Sequence, residues 1–203
     1  MFAGTRRPLT HPDARVTPLT LDVTRPDQIR AAAAEVTGLD ILINNAGVLL
    51  RDDLTDPAAI ERHLAVNLFG TYAMTQALLP ALSRSRGAIV NILSVNSLAP
   101  MPLMPAYSIS KAAEFSLTQS LRVLLAGQGV RVHAVLAGPV DTDMLRGVEI
   151  PKASPASVAA AVFDAVENEE DDIFPDPVSG FIADRWRDGA AKALERQLAQ
   201  AAP

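Results

Sequence analysis

Short apolar segments alternate with longer helical segments along most of this chain. Five segments have the apolar and β-branched composition of strands: residues 15–23, 39–43, 88–93, 130–136 and 172–174. Five others have the residue pattern of helices: residues 26–36, 67–83, 106–126, 155–166 and 181–199. This alternation predicts an α/β fold, with a doubly wound parallel sheet covered by helices on both faces. We expect a single domain over residues 1–203.

The composition narrows the class of function. The chain has 203 residues, 49% of them hydrophobic, and a net charge of −5. This balance disfavours nucleic acid as a partner, because phosphate binding needs a basic surface. The sequence contains no cysteine, and its three histidines lack the spacing of metal ligands, so we expect no metal site. The acidic run at residues 167–172 is interpreted as a solvated loop.

Neither a membrane span nor a targeting signal is recognisable. No apolar stretch is long enough to cross a bilayer. The first eight residues, Met1 to Pro8, lack the apolar core of a signal peptide. The expectation is therefore a cytoplasmic enzyme with no membrane partner.

Tyr107 and Lys111 stand four residues apart in one of the predicted helices. This spacing places a phenol and an ammonium on the same helix face. The cation stabilises the phenolate, so the phenol can serve as an acid or base near neutral pH. Ser94, at the end of the preceding predicted strand, supplies a hydroxyl that can hold a carbonyl oxygen. The alternative is a partly buried helix tyrosine with a solvent-exposed lysine one turn later.

Small and polar residues follow three of the predicted strands. Residues 44–47 (Asn-Asn-Ala-Gly) follow the strand ending at 43, Ser94 follows the strand ending at 93, and residues 138–142 follow the strand ending at 136. In a parallel sheet these positions converge at the carboxyl edge, where ligands bind. We expect the functional site there. Residues 44–47 could alternatively be only a turn, since Asn and Gly favour turns.

Six segments resemble the short-chain dehydrogenase/reductase family, in its order and at its usual separations: residues 21–24, 44–47, 66–67, 92–94, 107–111 and 138–144. The resemblance covers nearly the whole chain. It implies a Rossmann-like fold and hydride transfer between NADP(H) or NAD(H) and a small carbonyl or alcohol substrate. The methionines and leucines at 101–104 and 144–145 suggest a compact, apolar substrate pocket.

The resemblance also implies roles for four catalytic residues. Tyr107 corresponds to the general acid/base, and Lys111 to the residue that tunes it and binds the nicotinamide ribose. Ser94 corresponds to the hydrogen-bond partner of the substrate oxygen. Asn67 corresponds to the residue that holds a water in the proton relay, although it could alternatively be a helix N-cap.

The cofactor-binding residues implied by the resemblance are Arg6, Asp22, Val23, Asn44, Ala46, Gly47, Tyr107, Lys111, Gly138, Val140 and Thr142. Asp22 and Val23 correspond to contacts with the adenine ring. Asn44, Ala46 and Gly47 correspond to the wall of the adenine ribose and a stabiliser of the sheet, and Thr142 to a contact with the nicotinamide carboxamide.

Arg6, followed by Arg7, lies where relatives that select NAD(H) tend to carry an acidic residue. A guanidinium suits a 2′-phosphate, which favours NADP(H), with NAD(H) possible. The alternative is that both arginines are solvated surface charges.

The family opens with a strand, a glycine-rich turn and a helix that binds the pyrophosphate. The sequence contains no Gly-x-x-x-Gly-x-Gly run. The resemblance therefore implies that the first strand and helix of the fold are missing from this chain, which leaves the flanking strands without their shared neighbour. The alternative function is a catalytically impaired fragment or a non-enzymatic remnant that acts only through its oligomer interface.

The predicted helices at 67–83 and 106–126 carry more apolar residues than one buried face needs. In relatives these helices pack against a second subunit, so we expect a homodimer or homotetramer. The alternative is that the extra apolar residues belong to the ordinary core.

Overall fold

The computed structural model describes residues 1–200, in which all strand pairings are parallel. β1 (Phe2–Thr5) pairs with β2 (Thr17–Thr20) in a two-stranded sheet. A second sheet contains, in spatial order, β3 (Ile41–Asn44), β4 (Ala88–Ile92), β5 (Arg131–Val135) and β6 (Asp172–Ile173). The predicted α/β class with parallel strands is confirmed.

The two sheets do not share a strand. Within the described residues, β1 and β3 are not hydrogen-bonded to each other. On β3, Ile41 is 37% exposed and Ile43 is 43% exposed, whereas Leu42 between them is buried. The face of β3 that carries the two isoleucines is therefore open to solvent.

Helices cover both faces of the larger sheet. The α-helices of the described residues are α1 (Pro26–Glu35), α2 (Pro57–His63), α3 (Thr71–Ser85), α4 (Pro105–Ala126), α5 (Pro155–Glu167), α6 (Pro177–Arg187) and α7 (Ala190–Ala199). On one face, α1, α3 and α4 pack over Leu42, Ile89 and Val132. On the other, α5 packs over Val90 and Val135. None of these helices combines the length and hydropathy needed to cross a membrane.

The helix predicted to begin at residue 67 begins at Pro57 instead. The Asp56 carboxylate accepts a hydrogen bond from the Ala58 amide at 2.9 Å, and a proline at the first helical position costs no hydrogen bond. From α2 the chain continues through a π-helical segment, Leu64–Gly70, into α3. Asn67 lies inside this continuous helix, so the alternative that it is an N-cap is wrong.

The single terminal helix predicted for residues 181–199 is wrong. Asp176 caps α6, because its carboxylate accepts hydrogen bonds from the amides of Val178 and Ser179, each at 3.0 Å. The helix ends at Arg187, and Gly189 precedes α7. A Cβ at Gly189 would lie 2.8 Å from the carbonyl oxygen of Arg185, so the tight junction between the two helices favours glycine.

The strand predicted over residues 15–23 is shorter in the structure, where β2 is Thr17–Thr20. The chain turns after it, since the Asp22 carboxylate accepts hydrogen bonds from the Thr24 amide at 2.9 Å and from the Thr24 hydroxyl at 2.7 Å. An Asp that bonds to the backbone two residues on favours a turn over a strand.

Asp172 ends the acidic run at 167–172, but it is buried and not solvated. Its carboxylate accepts hydrogen bonds from Arg122 at 2.9 Å and from the Trp186 indole at 2.8 Å, and it pairs with Lys192 at 2.8 Å. Burial acts to raise the pKa of the Asp172 carboxyl, but these charges and hydrogen bonds outweigh it and hold the pKa below its ordinary value. The network fastens β6 to α4, α6 and α7.

Candidate active site

The four predicted catalytic residues lie at or beyond the carboxyl ends of the strands of the larger sheet. Ser94 follows β4, Tyr107 and Lys111 lie in the first turns of α4, and Asn67 lies in the π-helical segment. The position of α4 is fixed at its start, where Pro105 is the first helical residue and the Asp52 carboxylate accepts a hydrogen bond from the Ala106 amide at 3.2 Å.

Lys111 is only 4% exposed. Its Nζ donates hydrogen bonds to the carbonyl oxygen of Ile92 at 2.8 Å and to Oε2 of Glu114 at 2.7 Å. A Cβ on Gly47 would lie 3.9 Å from the same Nζ, so the turn after β3 comes close to the ammonium. The alternative of a solvent-exposed lysine is wrong.

Tyr107 is also buried, at 6% exposure. Its ring meets the ring of His63 edge-on, with the centroids 6.2 Å apart. The amide of Leu50 donates to Nε2 of His63 at 3.0 Å, and Nδ1 lies 2.7 Å from the carbonyl oxygen of Ala59. This pattern requires the neutral tautomer with its proton on Nδ1. His63 therefore packs beside the phenol as an uncharged group, a role that its position in the sequence did not reveal.

Asn67 joins the loop after β3 to α4. Its Oδ1 accepts a hydrogen bond from the Val48 amide at 2.8 Å, and its Nδ2 donates to the Val48 carbonyl at 3.1 Å and to the Ser110 hydroxyl at 2.8 Å. The Ser110 hydroxyl donates in turn to the carbonyl oxygen of Tyr107 at 2.7 Å. The carboxamide thus holds the turn that carries Gly47 against the helix that carries the tyrosine.

A buried row of polar side chains crosses the sheet near this edge. Nδ2 of Asn44 donates to Oδ1 of Asn91 at 2.8 Å and to the Thr75 hydroxyl at 3.3 Å. Nδ2 of Asn91 donates to the Thr118 hydroxyl at 2.9 Å. The Asn44 side chain is therefore bound inside the protein, whereas Ala46 is exposed.

Arg6, Asp22 and Val23 lie on and beside the two-stranded sheet. Hydrogen bonds from Thr24 lower the pKa of the Asp22 carboxyl, and the charge of the exposed Arg6 adds to this effect, so the guanidinium lies within electrostatic reach of Asp22. A Cβ on Gly70 would lie 2.6 Å from Cγ2 of Val23. Val23 therefore packs directly against the end of the π-helical segment.

Gly138, Val140 and Thr142 follow β5. The Gly138 amide donates to Oδ2 of Asp176 at 2.7 Å, and a Cβ on this glycine would lie 2.6 Å from Oδ1 of the same carboxylate. The approach is too close for any larger residue. Val140 forms an isolated bridge with Ala153, and Thr142 is exposed beyond it.

Glu114 is a fully buried residue beside Lys111 that was not predicted from the sequence. Its Oε1 accepts a hydrogen bond from the Thr71 hydroxyl at 3.0 Å. Burial raises the pKa of the Glu114 carboxyl above its ordinary value, although the charge and hydrogen bond of Lys111 oppose the shift. Its spacing was a usable signal, because residues three after Lys111 and seven after Tyr107 share their helix face.

The arrangement is suited to proton transfer. A phenol and a buried ammonium lie one helical turn apart, and a serine hydroxyl follows the strand whose carbonyl binds that ammonium. A positioned phenol can exchange a proton with a bound oxygen, and a hydroxyl can donate to an oxygen on which negative charge develops.

A family model and several known proteins match much of this chain. The family model described as short chain dehydrogenase matches residues 6–152. Estradiol 17-beta-dehydrogenase 2 of Mus musculus is 34% identical over 149 residues, which cover 69% of this chain and 39% of that protein. The chain spans less than half the length of several curated relatives that it matches.

Solved structures are similar over more of their length. A short chain dehydrogenase from Burkholderia cenocepacia J2315 in complex with NADP has a TM-score of 0.87 at 36% identity, over 97% of this chain and 85% of that one. A short-chain dehydrogenase from Sphingobium yanoikuyae in complex with NADPH has a TM-score of 0.76 at 28% identity, over 88% of this chain and 74% of that one. This chain belongs to the short-chain dehydrogenase family.

Proposed function

We propose that this protein is an NADP(H)-dependent oxidoreductase that interconverts a small carbonyl compound and its alcohol. The observation that carries this proposal is the buried pair of Tyr107 and Lys111 at the carboxyl edge of the sheet. Membership of the dehydrogenase family supports it.

In the direction of reduction, the Tyr107 hydroxyl donates a proton to the substrate oxygen. The Lys111 ammonium stabilises the resulting phenolate, and the Ser94 hydroxyl donates a hydrogen bond to the same substrate oxygen. Asn67 fixes the position of α4 relative to the turn after β3. The hydride is supplied by the nicotinamide when the cofactor is bound.

Two observations favour NADP(H) over NAD(H). Arg6 is exposed beside Asp22, where its guanidinium can pair with a 2′-phosphate. The similar structures from Burkholderia cenocepacia and Sphingobium yanoikuyae hold NADP and NADPH.

The proposed substrate is small and apolar around its reacting carbonyl. Met101, Leu103 and Met144 are 41%, 61% and 45% exposed in the loops before α4 and after β5. Apolar side chains that remain exposed beside a polar site are typical of substrate pockets.

Fluorescence titration of the full 203-residue chain with NADPH, with NADH as the control, tests this proposal. Saturable binding that prefers NADPH, followed by turnover on a panel of ketones and aldehydes, is the expected result. A folded protein that binds neither nucleotide would contradict it and favour the non-enzymatic alternative.

Arg6→Gln should weaken NADPH binding about tenfold or more, because a charge-assisted hydrogen bond contributes about 1.5–3 kcal/mol. NADH binding should change little, since NADH has no 2′-phosphate. Titration of both nucleotides measures the effect. Arg30→Gln, which removes another exposed arginine from α1, is the control and should leave both affinities unchanged. Equal losses for the two nucleotides would assign Arg6 no part in the preference.

We also propose that the protein is a homodimer or homotetramer. The subunits would assemble through α4 and through the continuous helix formed by the π-helical segment and α3. Phe69 and Tyr72 are 59% and 47% exposed, and Ile109 and Leu124 on α4 are 41% and 70% exposed. Apolar residues on two long neighbouring helices are typical of subunit interfaces.

Leu124→Glu should shift the protein toward the monomer, because the substitution places a charge in an apolar contact. Sedimentation velocity at several protein concentrations measures the distribution. Phe181→Glu on α6, where the phenylalanine is 73% exposed, is the matched control and should leave assembly intact. A wild-type protein that sediments as a monomer would contradict the proposal.

A further inference from the structure

Glu114 is a buried carboxylate on the same face of α4 as the proposed acid/base pair. It is fully buried, and its two oxygens bind Lys111 Nζ at 2.7 Å and the Thr71 hydroxyl at 3.0 Å. A buried carboxylate is unfavourable unless it is paired. Its partner here is the ammonium that is proposed to act on Tyr107.

Glu114 helps to set the position of the Lys111 ammonium. An ammonium has three hydrogen-bond donors, and two of them bind Glu114 and the carbonyl oxygen of Ile92. One donor remains for the cofactor or the substrate side of the site. The carboxylate therefore restricts the direction in which the ammonium can act.

Glu114 also places a negative charge beside the ammonium. Tyr107 lies one helical turn from Lys111 and two turns from Glu114, and opposite charges 2.7 Å apart act at a distance as a dipole. A dipole stabilises a phenolate less than a lone ammonium does.

The other charged or titratable groups near this face of α4 have hydrogen-bond or ion-pair partners other than Lys111. His63 is neutral beside the phenol, and Asp52 binds the Ala106 amide at the start of α4. Arg122 lies about 12 Å further along the helix from Glu114 and is paired with Asp172 and Glu195. Glu114 is therefore the carboxylate in direct contact with the ammonium of the site.

We propose that Glu114 is a positioning residue that orients the Lys111 ammonium and offsets part of its charge at Tyr107. The inference rests on the proposed role of Tyr107 as the acid/base. It predicts that the phenol of the wild-type protein ionises at a higher pH than it would beside an unpaired lysine.

The ultraviolet absorbance of tyrosinate tests this without turnover or cofactor. The chain has two tyrosines, so in a Tyr72→Phe background the titration reports Tyr107 alone. Glu114→Gln keeps the shape of the side chain and removes its charge. We expect the titration midpoint to fall by about one pH unit or more. An unchanged or higher midpoint would overturn the proposal.

Thr71→Val is the matched control, because it removes the other partner of Glu114 without changing any charge. The titration midpoint of Tyr107 should differ from that of the Tyr72→Phe background by no more than roughly a few tenths of a pH unit. A shift as large as that of Glu114→Gln would mean that packing, and not charge, sets the midpoint, and would also overturn the proposal.

A double variant keeps the test decisive if an unpaired buried lysine prevents folding. Lys111→Met combined with Glu114→Gln removes both charges, whereas Lys111→Met alone leaves the carboxylate, so the difference between these two variants gives the effect of Glu114 on Tyr107. We expect the midpoint of Lys111→Met to lie about one pH unit above that of the double variant. Equal midpoints, or a lower midpoint in Lys111→Met, would overturn the proposal.

Activity provides a separate readout. If the protein is a reductase, the pH profile of kcat/KM should move to lower pH in Glu114→Gln, in the same direction as the absorbance midpoint. A wild-type protein without reductase activity would contradict the proposed function, whereas the absorbance titration would still decide the role of Glu114.

Discussion

Tyr107→Phe should lower kcat for carbonyl reduction by at least about 100-fold, because a positioned general acid contributes roughly 10²–10⁴-fold to rate. The substitution removes only the hydroxyl that donates the proton. The ring remains to pack against His63, with which it makes an edge-on contact. We therefore expect NADPH affinity and the free energy of unfolding to change much less than kcat. Steady-state kinetics and an NADPH titration on the same preparation measure the two effects.

Tyr72→Phe is the control for this experiment, since Tyr72 is the only other tyrosine and is 47% exposed on α3. It should retain the activity of the wild-type protein. Turnover by Tyr107→Phe at a rate close to wild type would exclude Tyr107 as the proton donor. It would also contradict the proposed mechanism of proton transfer.

Asp172→Asn should lower the free energy of unfolding by about 3 kcal/mol, the lower end of the range for breaking a buried ion pair. The carboxylate is bound by Arg122, Trp186 and Lys192. Its loss leaves the buried Lys192 and the partly buried Arg122 with weaker compensation, although Glu195 still pairs with both. Urea denaturation measures the change. Asp184→Asn is the control, because the Asp184 side chain is 97% exposed and its removal should cost almost nothing.

The contribution of the Asp172 carboxylate to the free energy of unfolding should decrease at low pH. Its pKa in the folded protein lies below the ordinary value of 3.8, despite burial, because of Arg122, Lys192 and Trp186. Its contribution to stability is therefore fully present above about pH 4 and is lost as the pH falls through the folded-state pKa. The difference in stability between wild type and Asp172→Asn should shrink on acidification. A difference that grows as the pH falls would contradict this assignment.

The parts of the fold that the sequence predicted correctly are those where local pattern and tertiary packing agree. The helix at 106–126 and the strand at 88–93 match α4 and β4 closely, because their apolar residues also form the core. The helix from Pro57 was missed in its first ten residues, since a π-helical segment interrupts the regular period between α2 and α3. The break at Gly189 depends on the close approach of two backbones, which periodicity does not encode.

The site residues also divide into those that a local sequence pattern predicts and those whose role depends on tertiary contacts. The tyrosine, lysine and serine carry a recognisable spacing, and the structure places them on α4 and at the end of β4. Glu114 and Asp172 read as ordinary charged residues of a helix and a loop, because their burial is imposed by distant partners. Thr71 lies 43 residues from Glu114, and Arg122 lies 50 residues from Asp172. Such partners become visible only when the chain is folded.

The separation of the two sheets has a consequence for stability if the proposed cofactor-binding residues all contact one dinucleotide. Arg6 and Asp22 belong to the small sheet and its following turn, whereas Tyr107 and Lys111 are attached to the large one. Within residues 1–200 the two sheets share no strand, so side-chain packing such as that between Val23 and Gly70 joins them. A dinucleotide that contacts both would act as a noncovalent cross-link, and its binding free energy would add directly to the stability of the assembled state. Resistance to proteolysis around β1 and β2 would then report cofactor occupancy.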